Sequence, residues 1–374
     1  MDFINLSRQY QKIKSSVDID ILNILEKSNY ILGEDVFKLE KRLADYVGVK
    51  ECITCASGTD ALLIPLMAKD IGHGDIVFTT NFSYFATAEV ISLVGAHPVF
   101  VDIDQSSFNI DPELLEKEII KSLKNSNKTP KAIIAVDLFG QLSDYQKIKD
   151  IAKKYNLYLI EDAAQSFGAS IEKHKSCSFG DVSATSFYPS KPLGCYGDGG
   201  AIFTNDSKMA EIFRSIRVHG QGLDKYDNIR IGLNSRLDTI QAAILLNKLK
   251  IFDDEILKRN EIANYYTNHL KEYLITPAIN KNNISSWAQY SLLCKNKIER
   301  NNLIKFLYER DIPTAIFYKN IFSNLNIYKD ENINRKFKHS NDISKRIFSI
   351  PMHPYLKKDE MNYIIDNIRS FFKG

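Results

Sequence analysis

The chain alternates short apolar runs with longer stretches of helical periodicity. Residues 17–47 predict two helices around a turn. Ser28-Asn29-Tyr30-Ile31-Leu32-Gly33 breaks the pattern, and Glu34 to Tyr46 resumes it with Val36, Leu39, Leu43 and Tyr46 near helical spacing. From about 50 to 205 the rhythm changes. Asp75–Thr79, Pro98–Asp102, Ala132–Val136 (after the polar stretch Asn125 to Lys131) and Leu157–Ile160 are short apolar runs that predict strands. Helical patterns follow at Ala86 to Val94 and Tyr145 to Lys154. This rhythm predicts an α/β fold, a mostly parallel central sheet between helices. Ligands of such sheets bind beyond the carboxyl ends of the strands.

Gly232 to Lys250 reads as one long helix entered through Asn234-Ser235-Arg236, with Leu237, Ile240, Ala243, Ile244 and Leu246 as its apolar face. A large domain is expected over 1–250 and a smaller C-terminal α+β domain over 251–374. The latter holds strand-like Trp287–Leu293 and a helix near Arg300–Arg310. Tyr328 to Ser340 is polar and rich in Asn and Lys, which predicts a mobile loop.

Charge narrows the partners. With 49 basic and 46 acidic residues, the net charge of +3 is too balanced to imply nucleic acid or a membrane surface. The 21 Phe and 19 Tyr argue against disorder. No run approaches the length of a membrane span, and Met1-Asp2-Phe3-Ile4-Asn5 lacks a secretory pattern, so a cytoplasmic location is expected. Cys52 and Cys55 form a lone C-x-x-C without the second pair or His ligands that zinc would want, so the five cysteines read as buried thiols and no metal is expected.

Four segments carry candidate chemistry. Ser57-Gly58-Thr59-Asp60 opens a helix. Gly58 permits close approach of an anion to free N–H groups, and Thr59 adds a hydroxyl; the same residues also suit an ordinary N-cap. Asp162 ends an apolar run. A buried carboxylate there needs a cation or donor, such as a protonated pyridine nitrogen, or else it caps Ala163-Ala164-Gln165. Gln165 suits a phenolic oxygen or a cap. Lys191 lies between Pro189 and Pro192, in a loop that Gly194, Gly197, Gly199 and Gly200 make permissive of close backbone approach. Its alternative is a surface lysine. Ser186, on the approach to that loop, reaches toward a phosphate or is a plain strand residue. Tyr84, after a strand, stacks on a flat ring or packs in the core. Amine, carboxylate and phosphate cup are the three things that pyridoxal phosphate needs from a protein.

Ser57–Leu62, Phe82–Ala88, Glu161–Ala169, Ser186–Ala201 and Gly232–Ala243 together resemble the DegT/DnrJ/EryC1/StrS family of pyridoxal-phosphate-dependent sugar aminotransferases, in order and across essentially the whole chain. The resemblance implies the fold-type I aminotransferase architecture and a homodimer with shared active sites. It implies that Lys191 bonds covalently to the cofactor and shuttles the proton, that Asp162 pairs with the ring nitrogen, and that Gln165 contacts the phenolic oxygen. Tyr84 would stack on the ring, Gly58, Thr59 and Ser186 would hold the phosphate, and Asn234 would reach the phosphate in the neighbouring subunit. Dehydratase relatives carry histidine in place of the lysine; here the lysine is kept. The implied reaction passes an amino group from L-glutamate to a keto sugar linked to a nucleotide diphosphate.

Lys191–Gly200 and Asp227–Arg236 look most like the subgroup acting on UDP-2-acetamido-2-deoxy-3-oxo-glucuronic acid, in bacterial surface polysaccharide synthesis. An acidic sugar needs a cation. Arg236 is the candidate for its carboxylate, with a structural ion pair as the alternative. Tyr318 aligns with a region that faces substrate in relatives. The competing readings are a 4-aminotransferase on a 4-keto-6-deoxy-hexose nucleotide, an aminotransferase for a smaller ketone, and a non-enzymatic regulator that keeps the fold.

Overall fold

The computed structural model describes residues 1–125, 127–224, 226–280 and 282–374. In chain order its first elements are α1 (Leu6–Lys27), α2 (Glu34–Val47), β1 (Glu51–Cys55), α3 (Gly58–Ala68), β2 (Asp75–Thr80), α4 (Ala86–Leu93), β3 (His97–Val101), α5 (Pro112–Asn125), β4 (Thr129–Val136), α6 (Tyr145–Lys154) and β5 (Tyr158–Asp162). A small hairpin follows, β6 (Ser170–Ile171) and β7 (His174–Lys175), then β8 (Val182–Ser186), β9 (Gly200–Thr204), α7 (Ser207–Arg217), α8 (Thr239–Leu249) and α9 (Phe252–Leu270). The remainder holds β10 (Asn283–Ile284), β11 (Tyr290–Leu293), α10 (Lys297–Tyr308), α11 (Lys329–Asn332), α12 (Lys338–Arg346), β12 (Ile347–Ile350) and α13 (Lys358–Lys373).

Seven strands form the central sheet in the order β1-β9-β8-β5-β4-β2-β3. β9 runs antiparallel to both neighbours, and the other pairings are parallel. The carboxyl ends of β1, β8, β5, β4 and β2 therefore share one edge. Ile53, Val77, Ile134, Ile160 and Ile202 are wholly buried on one face under α3 and α7, while Phe78, Ile133 and Leu159 are buried on the other against α5 and α6. Burial on both faces is why these strands read as continuous apolar runs in the sequence. A buried pair, Arg217 Nη1 to Glu40 Oε1 at 2.6 Å, ties α7 to α2 and also bonds to Thr54 of β1. β10 joins the β6–β7 hairpin in a three-stranded sheet, and a third sheet pairs β11 with β12 and shares a core with α9, α10 and α13.

Four expectations are corrected. The first helix starts at Leu6, where Asn5 accepts a hydrogen bond from the Arg8 amide, and buries Ile13, Val17 and Ile24; the break at 28–33 begins with Ser28 in a left-handed conformation (φ 53°). Residues 232–238 are not helical. Their backbone groups pair with the end of α7, with His219 N donating to Leu233 O and Ser235 N to Arg217 O, so the helix waits until Thr239. The strand in the 287–293 run starts only at Tyr290, because Trp287 sits at φ 48°. The 328–340 segment is no loose loop. Tyr328 and Phe337 are buried, Arg335 Nη2 donates to Phe100 O at 2.7 Å, and α11 and the start of α12 lie within it. Two aromatic anchors outweigh the polar composition between them. Ser126, in the polar stretch before β4, lies outside the described residues. No described helix is long and apolar enough to cross a membrane.

Candidate active site

The shared edge gathers the sequence candidates. Asp162 ends β5, Ser186 ends β8, and the turn after β1 delivers Ser57 to α3. Ser57 caps α3 by accepting from the Asp60 amide at 3.1 Å. The amides of Gly58 and Thr59, one turn further out on the helix end, donate to no acceptor among the described residues. A Cβ on Gly58 would lie 2.6 Å from Ser186 Cβ and 3.0 Å from Ser186 Oγ. Free amides, a hydroxyl and this tight approach form one small cup at the positive end of a helix.

Asp162 is buried. Its Oδ2 accepts from the Thr87 hydroxyl at 2.7 Å and its Oδ1 from the Ala164 amide at 3.2 Å. Loss of hydration raises its pKa above the ordinary carboxylate range, against the pull of these bonds and of Lys191. Lys191 is half-buried as a residue, but its ammonium lies deep in the cleft. Desolvation lowers its pKa to about 8, partly offset by Asp162. Amine and carboxylate thus face each other closely enough to shift one another.

Gln165 is fixed at both ends. Its Oε1 accepts from the Phe139 amide at 2.8 Å, and its Nε2 donates to Tyr318 Oη at 3.1 Å. Tyr318 packs edge-on against Phe82 and tilts toward Tyr84, whose ring lies 6.4 Å away. Tyr84 is 59% exposed, so core packing does not account for it. The structure thus brings Lys191, Asp162, Gln165, Tyr318, Tyr84, Ser186, Gly58 and Thr59 to one edge.

Asn234 and Arg236 stand apart. They flank Ser235, which is buried and donates to Asp60 Oδ2 at 2.6 Å. Asn234 is exposed, Arg236 is half-buried, and among the described residues neither side chain makes a hydrogen bond or ion pair. A structural ion pair for Arg236 is therefore absent from this chain's described contacts. Thr87 and the Phe139 amide were not singled out in the sequence. Thr87 lies inside the Phe82–Ala88 segment, but nothing local marks its bond to a residue 75 positions away. A surface cleft of about 1130 Å³ opens at the amino ends of the strands, between Lys69, Lys131, Tyr158 and Lys208, and contains none of the candidates.

The five cysteines are buried and free, and among the described residues no His, Cys, Asp or Glu cluster suits a metal.

The model of the DegT/DnrJ/EryC1/StrS aminotransferase family matches residues 11–369. UDP-2-acetamido-2-deoxy-3-oxo-D-glucuronate aminotransferase of Pseudomonas aeruginosa is 48% identical over 357 residues, 95% of this chain and 96% of its own. The crystal structure of a DegT DnrJ EryC1 StrS aminotransferase from Brucella abortus superposes with a TM-score of 0.96 at 46% identity, covering 99% of both chains. NtdA from Bacillus subtilis, with bound cofactor PMP, superposes at 0.90 with 25% identity, over all of this chain and 83% of its own. With matches of this extent on a fold whose sheet edge gathers amine, carboxylate and anion cup, the chain belongs to the DegT/DnrJ/EryC1/StrS aminotransferase family.

Proposed function

We propose that this aminotransferase uses pyridoxal phosphate to move an amino group from L-glutamate to C3 of UDP-2-acetamido-2-deoxy-3-oxo-glucuronic acid, in bacterial surface polysaccharide synthesis. The observation that carries the substrate is the 48% identity to the Pseudomonas enzyme along nearly the whole of both chains. Arg236, a guanidinium without a described partner, supports an acidic sugar. A cytoplasmic setting goes with nucleotide-linked substrates.

The residues fit the cofactor. Asp162 is a buried carboxylate that a protonated ring nitrogen would complete. The free amides of Gly58 and Thr59 and the Ser186 hydroxyl suit a phosphate. When bound, the cofactor supplies an electron sink for the carbanion left when the donor loses its α-proton.

This chain's side chains do the rest. Lys191 holds the cofactor and, once released, takes the proton at Nζ; a pKa of about 8 leaves enough free amine at neutral pH for that work. Asp162 keeps its charge against the ring nitrogen. Gln165 Nε2 would serve the phenolic oxygen, and Tyr84 would stack on the ring. Tyr318 faces the substrate. Asn234 reaches the phosphate site of a second copy, and Arg236 meets the sugar carboxylate. Leu223, Ile229 and Ile231 are exposed on the same segment as Asn234, an apolar surface that a homodimer would cover. We also assign residues 1–250 to a large cofactor-binding domain, which holds the seven-stranded sheet, and 251–374 to a small one, which holds the β11–β12 pair, with β10 of the small domain joining the β6–β7 hairpin of the large one.

Visible absorption tests the whole reading. The protein with pyridoxal phosphate should show the band of a lysine-bound cofactor, lose it on addition of L-glutamate, and regain it with the 3-keto uronic acid nucleotide. Recovery with a 4-keto-6-deoxy sugar alone would overturn the substrate. Absence of the band would overturn the site.

A further inference from the structure

α8 turns one stripe toward the loop that carries Lys191. Gln241, Leu245 and Lys248 are spaced i, i+4 and i+7, on one helix face. Gln241 Oε1 accepts from the Tyr196 amide at 2.8 Å. Leu245 shares a buried cluster with Leu193. Lys248 Nζ donates to the Gly194 carbonyl at 2.6 Å.

Lys248 is 1% exposed, and a lysine so deeply buried is rare and costly. Its ammonium lies 4.3 Å from the centroid of the Tyr196 ring, and no carboxylate pairs with it among the described residues. Glu255 and Cys195 are the other ionisable groups that act on it, and burial brings it down to about 8. The strong donor is thus spent on one backbone carbonyl.

That carbonyl belongs to a loop whose other ties lie on either side of it: Leu193 and Cys195 are buried in the cluster that includes Leu245, and the Tyr196 amide bonds to Gln241. The loop is closed at its base by Phe187 N to Gly199 O and Cys195 N to Phe187 O, each 2.7 Å. Within it lie its own turn, Lys191 N to Tyr188 O at 2.8 Å, the Tyr188 amide on Ser186 Oγ, and the Cys195 thiol on the Phe187 and Gly197 carbonyls; from α8, Gln241 holds the Tyr196 amide and Lys248 holds the Gly194 carbonyl. A Cβ on Gly194 would lie 2.5 Å from Pro189 O, so the loop folds tightly back on itself just where Lys248 grips it.

We propose that Lys248 is a positioning residue for transamination: by holding the Gly194 carbonyl against α8 it fixes the loop that aims Lys191 at Asp162. This rests on the reading of Lys191 as the cofactor-bearing amine.

The test compares Lys248→Met, which keeps length and removes the donor, with Lys248→Gln, which keeps a donor. In the cofactor-free protein, hydrogen exchange over residues 188–195 should quicken in K248M. In the loaded enzyme, kcat should fall on the order of 10- to 100-fold, the cost of a small misplacement at a reacting group, with KM for L-glutamate little changed. The pH at which the visible band titrates should shift, and K248Q should recover part of the rate. Wild-type kcat and an unshifted titration in K248M, whatever exchange or melting does, would make Lys248 a packing residue and overturn the proposal. Should K248M not fold, Tyr196→Leu removes the ring beneath the ammonium at a half-buried position. It should move kcat and titration the same way by less, and no movement overturns the proposal equally. Borohydride trapping in the wild type separates the two readings. An adduct on Lys191 supports the framework, and one found elsewhere overturns the Lys191 reading and this role with it.

Discussion

Gly58→Ala places one methyl group where the cup is tightest. The added carbon would meet Ser186 Cβ at 2.6 Å, against an ordinary carbon separation of about 3.5–4.0 Å. Ser186 Cα lies 3.2 Å from the same point, so rotating the serine side chain does not relieve the contact. The helix end must back away from β8 by about 1 Å. Two effects compete. Alanine is better than glycine in a helix interior by about 1 kcal/mol, and by less at a first turn. Overpacking of this kind costs about 1–3 kcal/mol. The clash wins, and the cofactor-free protein should lose about 1–2 kcal/mol. The same shift pulls the Gly58 and Thr59 amides away from Ser186 Oγ. Losing one hydrogen bond to a charged group costs about 1.5–3 kcal/mol, which raises the Kd for pyridoxal phosphate about 10- to 100-fold. Urea unfolding of the cofactor-free protein and an absorbance titration with the cofactor measure the two separately. Ser186→Gly in the same chain removes the atoms that are struck. The double variant should regain stability but not affinity, since it lacks the serine hydroxyl. Unchanged or improved stability in G58A, with unchanged Kd, would refute the steric argument and the placement of the cup.

Further expectations follow from the same geometry. Arg236→Ala should lower kcat/KM on the order of 10²-fold for an acidic keto sugar and leave a neutral one nearly untouched; equal losses in parallel assays would remove the carboxylate role. Thr87→Val strips a 2.7 Å bond from buried Asp162, and cofactor Kd should rise about tenfold, measured by titration. Burial holds the Lys191 ammonium near 8 against an ordinary 10.5. Between those values the unfolded chain keeps a proton that the folded, cofactor-free protein has released, so stability should climb as pH rises through the window. Lys191→Met should flatten that climb, seen as urea midpoints on either side of it, while a slope identical to wild type would contradict the burial of the amine.

Much of this molecule is legible in the chain because parallel strands buried on both faces leave continuous apolar runs. Asp75–Thr79, Ala132–Val136 and Leu157–Ile160 each lie within three residues of the ends of the strands that form. Candidates that sit just beyond those runs, such as Asp162, Ser186 and Gly58, come together because the sheet order does the gathering. What the sequence hid depends on distant pairing. Residues 233–235 carry helix-entry residues, yet their backbone is taken by the end of α7. The 328–340 segment looks solvated until Phe100 and its neighbours supply partners for it. Thr87, in the first turn of α4, and the Phe139 amide, in the turn after β4, meet Asp162 and Gln165 only once the sheet brings these elements to one edge. Lys248 reads as any helix lysine until the loop above it is seen.

Lys191 and Lys248 have the same lowered basicity, about 8, but Lys248 is sealed in the core while Lys191 is half-buried. At pH 7 about a tenth of such an amine is unprotonated, against fewer than about one in a thousand for an ordinary lysine. In the cofactor-free chain the Lys191 amine is therefore a better nucleophile toward a carbonyl carbon than an ordinary lysine, although it is itself partly enclosed. Lys248 is sealed and safe. The enclosure that would ready Lys191 for the cofactor thus also leaves more of its free amine at neutral pH in the cofactor-free protein.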